Sequence, residues 1–210
     1  MELDDATRHQ IDSLVASHDV TLFMKGDRTA PQCGFSATVV RILDSLVPEY
    51  QTVDVLADPA IREGLKIYSS WPTIPQLYVK GDFVGGCDII QELYDSGELQ
   101  VTLGVETPEL GAPPSVTVTE DAAEALRQAI RESGAGGREI HLGIDARFQN
   151  TLFFSPVAPG EIAVESAGIT LYLDPISAGR ADGVTIDAVH KDGGIGFQIE
   201  NPGATAATGS

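Results

Sequence analysis

The sequence predicts an α/β domain on a mixed four-stranded sheet, followed by a second, β-rich α+β domain. Three observations carry this. Strands and helices alternate over residues 5–96, then TPELGAPPS places three prolines in nine positions, then one helical stripe gives way to short strands separated by Gly, Pro or Asp. The expected boundaries are a first domain at 1–106, a semi-rigid linker at 107–115, a second domain at 116–202 and a disordered tail at 203–210.

The elements follow from local pattern. Ile11, Leu14, Val15 and His18 recur at three- and four-residue spacing, predicting an amphipathic helix over 5–18. Residues 20–25 (VTLFMK) form a short apolar run suited to a buried strand. The polar GDRTAPQ then leads to Cys33, after which Phe35, Val39, Ile42, Leu43 and Leu46 mark one face of a helix over 34–47. Residues 50–55 read as a strand. Pro59 opens a helix to about Tyr68, at the first turn, where proline is tolerated. Residues 76–80 and 83–84 flank Gly81–Asp82 as a hairpin, and a helix over 88–96 stops at Gly97. In the second domain Thr119 is an N-cap, with Glu120 and Asp121 in the first turn. Ala123, Leu126 and Ile130 form the apolar stripe, and Gly134 with Gly136–Gly137 ends the helix. Strands are expected at 139–144, 151–154, 162–164, 169–173, 184–189 and 197–199.

Composition narrows the function. The formal net charge is −18, with 7 Lys and Arg against 16 Asp and Glu in residues 1–104, and 6 against 15 in residues 105–210. Acidity spread over both halves reads as a solvated surface and argues against nucleic acid or anionic membranes, which need a basic patch. No apolar run approaches the roughly 18 residues of a membrane span. The acidic start, MELDDATRHQID, lacks the apolar core of a secretory signal, so a cytoplasmic location is expected.

Only two cysteines occur, Cys33 and Cys87, 54 positions apart. There is no C-x-x-C pair and no disulfide framework, so thiol or metal chemistry must use a single thiolate plus something borrowed. Cys33 sits in polar PQCGFS just before a helix, unlike a buried structural cysteine. Unpaired N–H groups at the helix start, with Lys25 at the end of the preceding strand, favour its thiolate.

Cys33–Gly34–Phe35–Ser36, after a strand ending in Lys25, resembles the active site of the CGFS monothiol glutaredoxins. The resemblance covers residues 3–104 and includes Ile61–Arg62 with Leu65–Lys66, Trp71–Pro72–Thr73–Ile74–Pro75, Gln76–Leu77–Tyr78–Val79 and Gly85–Gly86–Cys87–Asp88, in order. It implies a thioredoxin-like fold with a cis Ile74–Pro75 bond. It also implies glutathione lying across Thr73–Ile74 as an added strand, its γ-glutamyl end at Cys87 and Asp88 and its glycyl carboxylate at Lys25 and Arg62. The chemistry is sensible: Asp88 can accept from an ammonium, and Arg62 can grip a carboxylate in a fork. Without the resemblance, Arg62 and Lys66 read as a solvated helix face and Cys87 as a small buried residue at a helix start.

Ser36 stands where a dithiol enzyme has its resolving cysteine, so internal resolution of a mixed disulfide is unavailable. A [2Fe–2S] cluster needs four ligands. In the family these are two Cys33-type sulfurs from two subunits and two glutathione sulfurs. The resemblance therefore implies a cluster-bridged homodimer that hands its cluster to recipient apoproteins, with a BolA-like protein as a further partner. A monothiol oxidoreductase that removes glutathione from protein thiols and a redox-sensing binding module stay open as alternatives.

The second half is similar to the A-type (HesB-like) iron–sulfur carriers over VTVTEDAAEALRQAI, IHLGID, AGITLYLDP and GFQIENP. That family uses three cysteines, and none stands at the matching positions. His141 and His190 each lie alone in or beside a strand-like run and read as half-exposed strand residues. This half is therefore expected to dock or dimerise rather than hold a cluster.

Overall fold

The computed structural model describes residues 3–108, 112–133, 138–191 and 194–207. The chain divides into two compact units, Met1–Glu106 and Thr107–Ser210.

The first unit runs α1 (Asp5–Ala16), β1 (Val20–Met24), α2 (Gly34–Leu46), β2 (Gln51–Asp54), α3 (Pro59–Tyr68), β3 (Gln76–Val79), β4 (Asp82–Gly85), α4 (Cys87–Ser96) and α5 (Glu98–Leu103). Its sheet has the order β2-β1-β3-β4, with β1 and β2 parallel and the pairs β1–β3 and β3–β4 antiparallel. Side chains alternate across it. Phe23 and Tyr78 meet Ile11 and Val15 of α1 and Ile61 and Leu65 of α3 in one buried cluster. Leu22, Met24 and Leu77 are left for the opposite face, and all three are fully buried. Gly64 lets α3 approach α1 closely, since a Cβ there would lie 2.6 Å from Thr7 Cγ2.

Helix starts follow their caps. Asp4 accepts from the Thr7 amide, and Asp58 accepts from the amides of Ala60 and Ile61. Two details differ from the sequence reading. The hairpin turn is Lys80–Gly81 rather than Gly81–Asp82, because the two-residue turn takes positive φ at both positions (51° and 91°) and Val79 pairs with Asp82. Gly97 (φ 82°) ends α4 but also begins α5, a helix the sequence reading omits.

The second unit runs β5 (Val116–Val118), α6 (Glu120–Ser133), β6 (Glu139–Ile144), β7 (Asn150–Ser155), β8 (Ile162–Ser166), β9 (Ile169–Leu173), α7 (Pro175–Gly179), β10 (Val184–Lys191), β11 (Gly194–Glu200) and α8 (Pro202–Ala207). Its sheets have the orders β11-β10-β5 and β7-β6-β9-β8. A single core joins Val116, Leu126, Leu142, Leu171, Val184 and Ile186. Thr119 caps α6, its hydroxyl accepting from the Ala122 amide. The expected stop at Gly134 and Gly136–Gly137, and the side chain of His190, lie outside the described residues.

Three expectations for this half are corrected. Parts of the 107–115 segment pack rather than link: a Cβ on Gly179 would lie 2.3 Å from Pro108 Cγ, and the Ser115 amide donates to Asp182. The 203–210 tail begins inside α8, which Asn201 caps by accepting from the Gly203 amide and Pro202 opens. His141 is buried at 2% exposure rather than half-exposed. The loop between β7 and β8 covers it: Glu161 Oε2 lies 3.1 Å from Nε2 and also accepts from the Ala158 amide. Nδ1 faces the Glu139 carbonyl oxygen at 3.1 Å.

Candidate functional site

Cys33 is the N-cap of α2, in extended backbone (φ −159°, ψ 143°) with its sulfur beside the helix start. Burial pushes its thiol up. This is outweighed by hydrogen bonds from the Ser36 amide and hydroxyl and from the Phe35 amide, with the Lys25 charge adding to them, so the net shift is downward. Ser36 is fully buried. Its hydroxyl oxygen accepts from the Lys25 amide at 3.2 Å, which leaves its hydrogen for the sulfur. Cys87 behaves in the opposite way. Burial, then the Asp88 carboxylate and the Cys33 charge, push that thiol up and keep it protonated.

The loop between Lys25 and Cys33 brings these two residues together. Gln32 donates its amide to the Lys25 carbonyl at 2.9 Å, and Gly26 forms an isolated bridge with Pro31. Gly26 has φ 80°, and a Cβ there would lie 2.4 Å from the Ala30 carbonyl oxygen. Its amide is held by Asp54 at 2.9 Å. Glycine is thus required on both conformational and steric grounds.

An open groove of about 350 Å³ is lined by Lys25, Phe35 and Cys87 among others, with Cys33 itself outside the lining. The sequence-predicted residues Lys25, Arg62, Thr73, Ile74, Cys87 and Asp88 all line it, from four separate elements and loops. Lys25, Arg62 and Lys66 give it cationic character within a strongly acidic chain, and Asp88, at the start of α4, supplies an acceptor. Lys66 is partly neutralised by Glu63 at 2.9 Å. Arg62 Nε and Trp71 Nε1 are buried without a hydrogen-bond partner among the described residues. Two such donors in a groove wall suit a polar ligand.

Ile74–Pro75 is a cis peptide. The preceding loop is held from beneath by Gln76, whose side-chain amide donates to the carbonyls of Trp71 (3.0 Å) and Thr73 (3.1 Å) and whose oxygen accepts from Tyr78. Gly86 allows the Trp71 indole to lie against its backbone, since a Cβ would sit 2.8 Å from Nε1. The sequence reading passed over Phe35, Trp71 and Gln76 as site residues. Phe35 is 61% exposed at the groove. The available signals were the only tryptophan of the chain in front of Pro72 and a glutamine within an otherwise apolar strand.

A mixed four-stranded sheet with a lowered thiol at the start of α2, and a serine three residues on, gives the first unit a thioredoxin-like fold. The glutaredoxin family model matches residues 20–84. The chain is 62% identical over 96 residues to the monothiol glutaredoxin-S7, chloroplastic, of Oryza sativa subsp. japonica, a match covering 46% of this chain and 57% of that protein. It is 55% identical over 103 residues to an uncharacterized monothiol glutaredoxin ycf64-like protein of Synechocystis sp., covering 49% and 96%. The solution structure of reduced poplar apo GrxS14 aligns with a TM-score of 0.45 at 54% identity, covering 50% of this chain and 95% of that one. Through its first unit the chain belongs to the monothiol glutaredoxins.

Proposed function

We propose that the first unit binds glutathione in the groove and uses Cys33 to carry a [2Fe–2S] cluster between donor and recipient proteins. The observation that carries the reading is the pairing of one lowered thiol with a buried Ser36 where a second thiol would resolve a disulfide. Lys25 and Arg62 grip the glycyl carboxylate, the Thr73–Ile74 backbone takes the peptide as an added strand, and Asp88 beside Cys87 accepts from the γ-glutamyl ammonium. The groove fits such a ligand: it is cationic where a carboxylate would lie and has two unpartnered donors in its wall. Glutathione then brings its own sulfur beside Cys33. Two chains supply four sulfurs, the number a [2Fe–2S] cluster takes. With one protein ligand per chain the cluster is held loosely enough to be passed on to recipient apoproteins, with a BolA-like protein as a further partner. The second unit, read as a HesB-like domain without ligand cysteines, serves docking or assembly, and a cytoplasmic location accompanies this reading.

The test is anaerobic purification with and without glutathione, read by visible absorption and iron content. A brown, chelator-sensitive chromophore that needs both glutathione and Cys33 is expected. Colourless protein with brisk deglutathionylation turnover would replace the carrier by a monothiol oxidoreductase.

A further inference from the structure

We propose that Arg28 is a positioning residue for Cys33, fastening the loop between Lys25 and Cys33 to the far end of α2. Arg28 is a cation with only 14% of its side chain exposed. Its Nε donates to Asp44 Oδ1 at 2.7 Å, and a terminal nitrogen meets the same oxygen at 2.5 Å. The other terminal nitrogen donates to the Pro48 carbonyl at 3.2 Å. The guanidinium lies 4.1 Å from the centre of the Tyr50 ring, and the Tyr50 hydroxyl donates to Asp44 Oδ1 at 3.0 Å. One side chain thus joins the loop to α2, to the turn after it and to the residue before β2.

Geometry gives this clamp its consequence. Asp44 lies ten residues along α2 from Gly34, about 15 Å at 1.5 Å per residue. The first residues of the loop are held by Ser36 and Asp54 and its last by Cys33, and Arg28 adds an attachment of the stretch between them about 15 Å along α2, which fixes the tilt of that stretch against the helix. The loop itself is stiff, because Asp27 accepts from the amides of Thr29 and Ala30 and from the Thr29 hydroxyl. Orientation set at Arg28 therefore reaches both ends of the loop. At one end Lys25 places its charge and fixes the Ser36 hydroxyl; at the other sits the sulfur.

The inference rests on Cys33 being the working thiol, and its test needs neither glutathione nor a cluster, so the two can fail separately. Full-length protein with Cys87→Ser leaves Cys33 as the only thiol. Its alkylation by iodoacetamide is followed against pH in that background and in Arg28→Ala and Asp44→Ala versions, with circular dichroism to establish folding. Both variants are expected to slow alkylation at pH 7 roughly threefold, with rates converging at alkaline pH where the thiolate is complete. Asp44→Ala decides between mechanisms. Removing a carboxylate by long-range charge alone would favour the thiolate and speed the reaction, whereas loss of the clamp slows it. It also places a strong helix former in α2, so it serves if Arg28→Ala does not fold. Opposite effects of the two variants would overturn the proposal. So would unchanged profiles accompanied by lower melting temperatures, which would leave Arg28 only a structural role.

Discussion

Replacing Ser36 by Ala tests how the site holds its thiolate. The hydroxyl is fully buried, accepts from the Lys25 amide at 3.2 Å and helps to lower the Cys33 thiol. Its loss strands the part-buried Lys25 N–H, which costs about 1 kcal/mol of stability. It also removes a hydrogen bond to a charged sulfur, of order 1.5 kcal/mol, or about tenfold in the thiolate reaction at neutral pH. The sign of the pH dependence follows from the direction of the shift. Because the folded-state pKa of Cys33 is depressed, its contribution to stability is complete above the unfolded thiol value of about 8.5 and is lost as pH falls through the folded value. The stability gap between the native chain and Ser36→Ala should therefore widen as pH rises. The assay is iodoacetamide alkylation between about pH 5 and pH 10 in the Cys87→Ser background, with urea unfolding at about pH 6 and pH 9.5. An unchanged alkylation midpoint, or a gap that narrows toward alkaline pH, would refute the assignment.

Three further outcomes follow from the same geometry. Cys33→Ser should keep its fold, judged by circular dichroism, and lose the visible chromophore, whereas Cys87→Ser should retain it; equal iron loss in both would show the ligand assignment to be wrong. Gly26→Ala should destabilise by at least about 2 kcal/mol in a urea melt, because it adds a left-handed non-glycine residue to a contact of 2.4 Å with the Ala30 carbonyl. Arg62→Gln should weaken glutathione binding by about 10- to 100-fold by titration calorimetry, the worth of a charge-assisted hydrogen bond of about 1.5–3 kcal/mol, and the native affinity should fall with added salt. Salt-independent binding would move the carboxylate away from Arg62.

Much of the first unit was readable one segment at a time. Apolar spacing marks α1 and α2, and Pro59 marks where α3 starts. These are signals within a turn or two of chain, where the residues that state the pattern are also the residues that respond to it. The family resemblance carried by the motif blocks implies one site for Lys25, Arg62, Thr73, Ile74, Cys87 and Asp88, and the fold brings all six to one groove. The sequence could not show which side chains hold those residues in place. Gln76 beneath the Trp71–Thr73 loop, Asp54 on the Gly26 amide and Arg28 on Asp44 are pairs separated by turns and strands, and nothing local distinguishes them from ordinary polar residues. The second unit was less legible for the same reason. β5 is only three residues long and exists because Val116–Val118 pairs with β10 nearly seventy positions away. A lone histidine in a strand-like run reads as half-exposed, whereas Phe153 and Tyr172 on the neighbouring strands and Glu161 of the loop folded back over that face bury it. Helices and hairpins were determined by neighbours in the chain, whereas burial, pairing and the environment of each thiol were decided by residues that only tertiary folding makes neighbours.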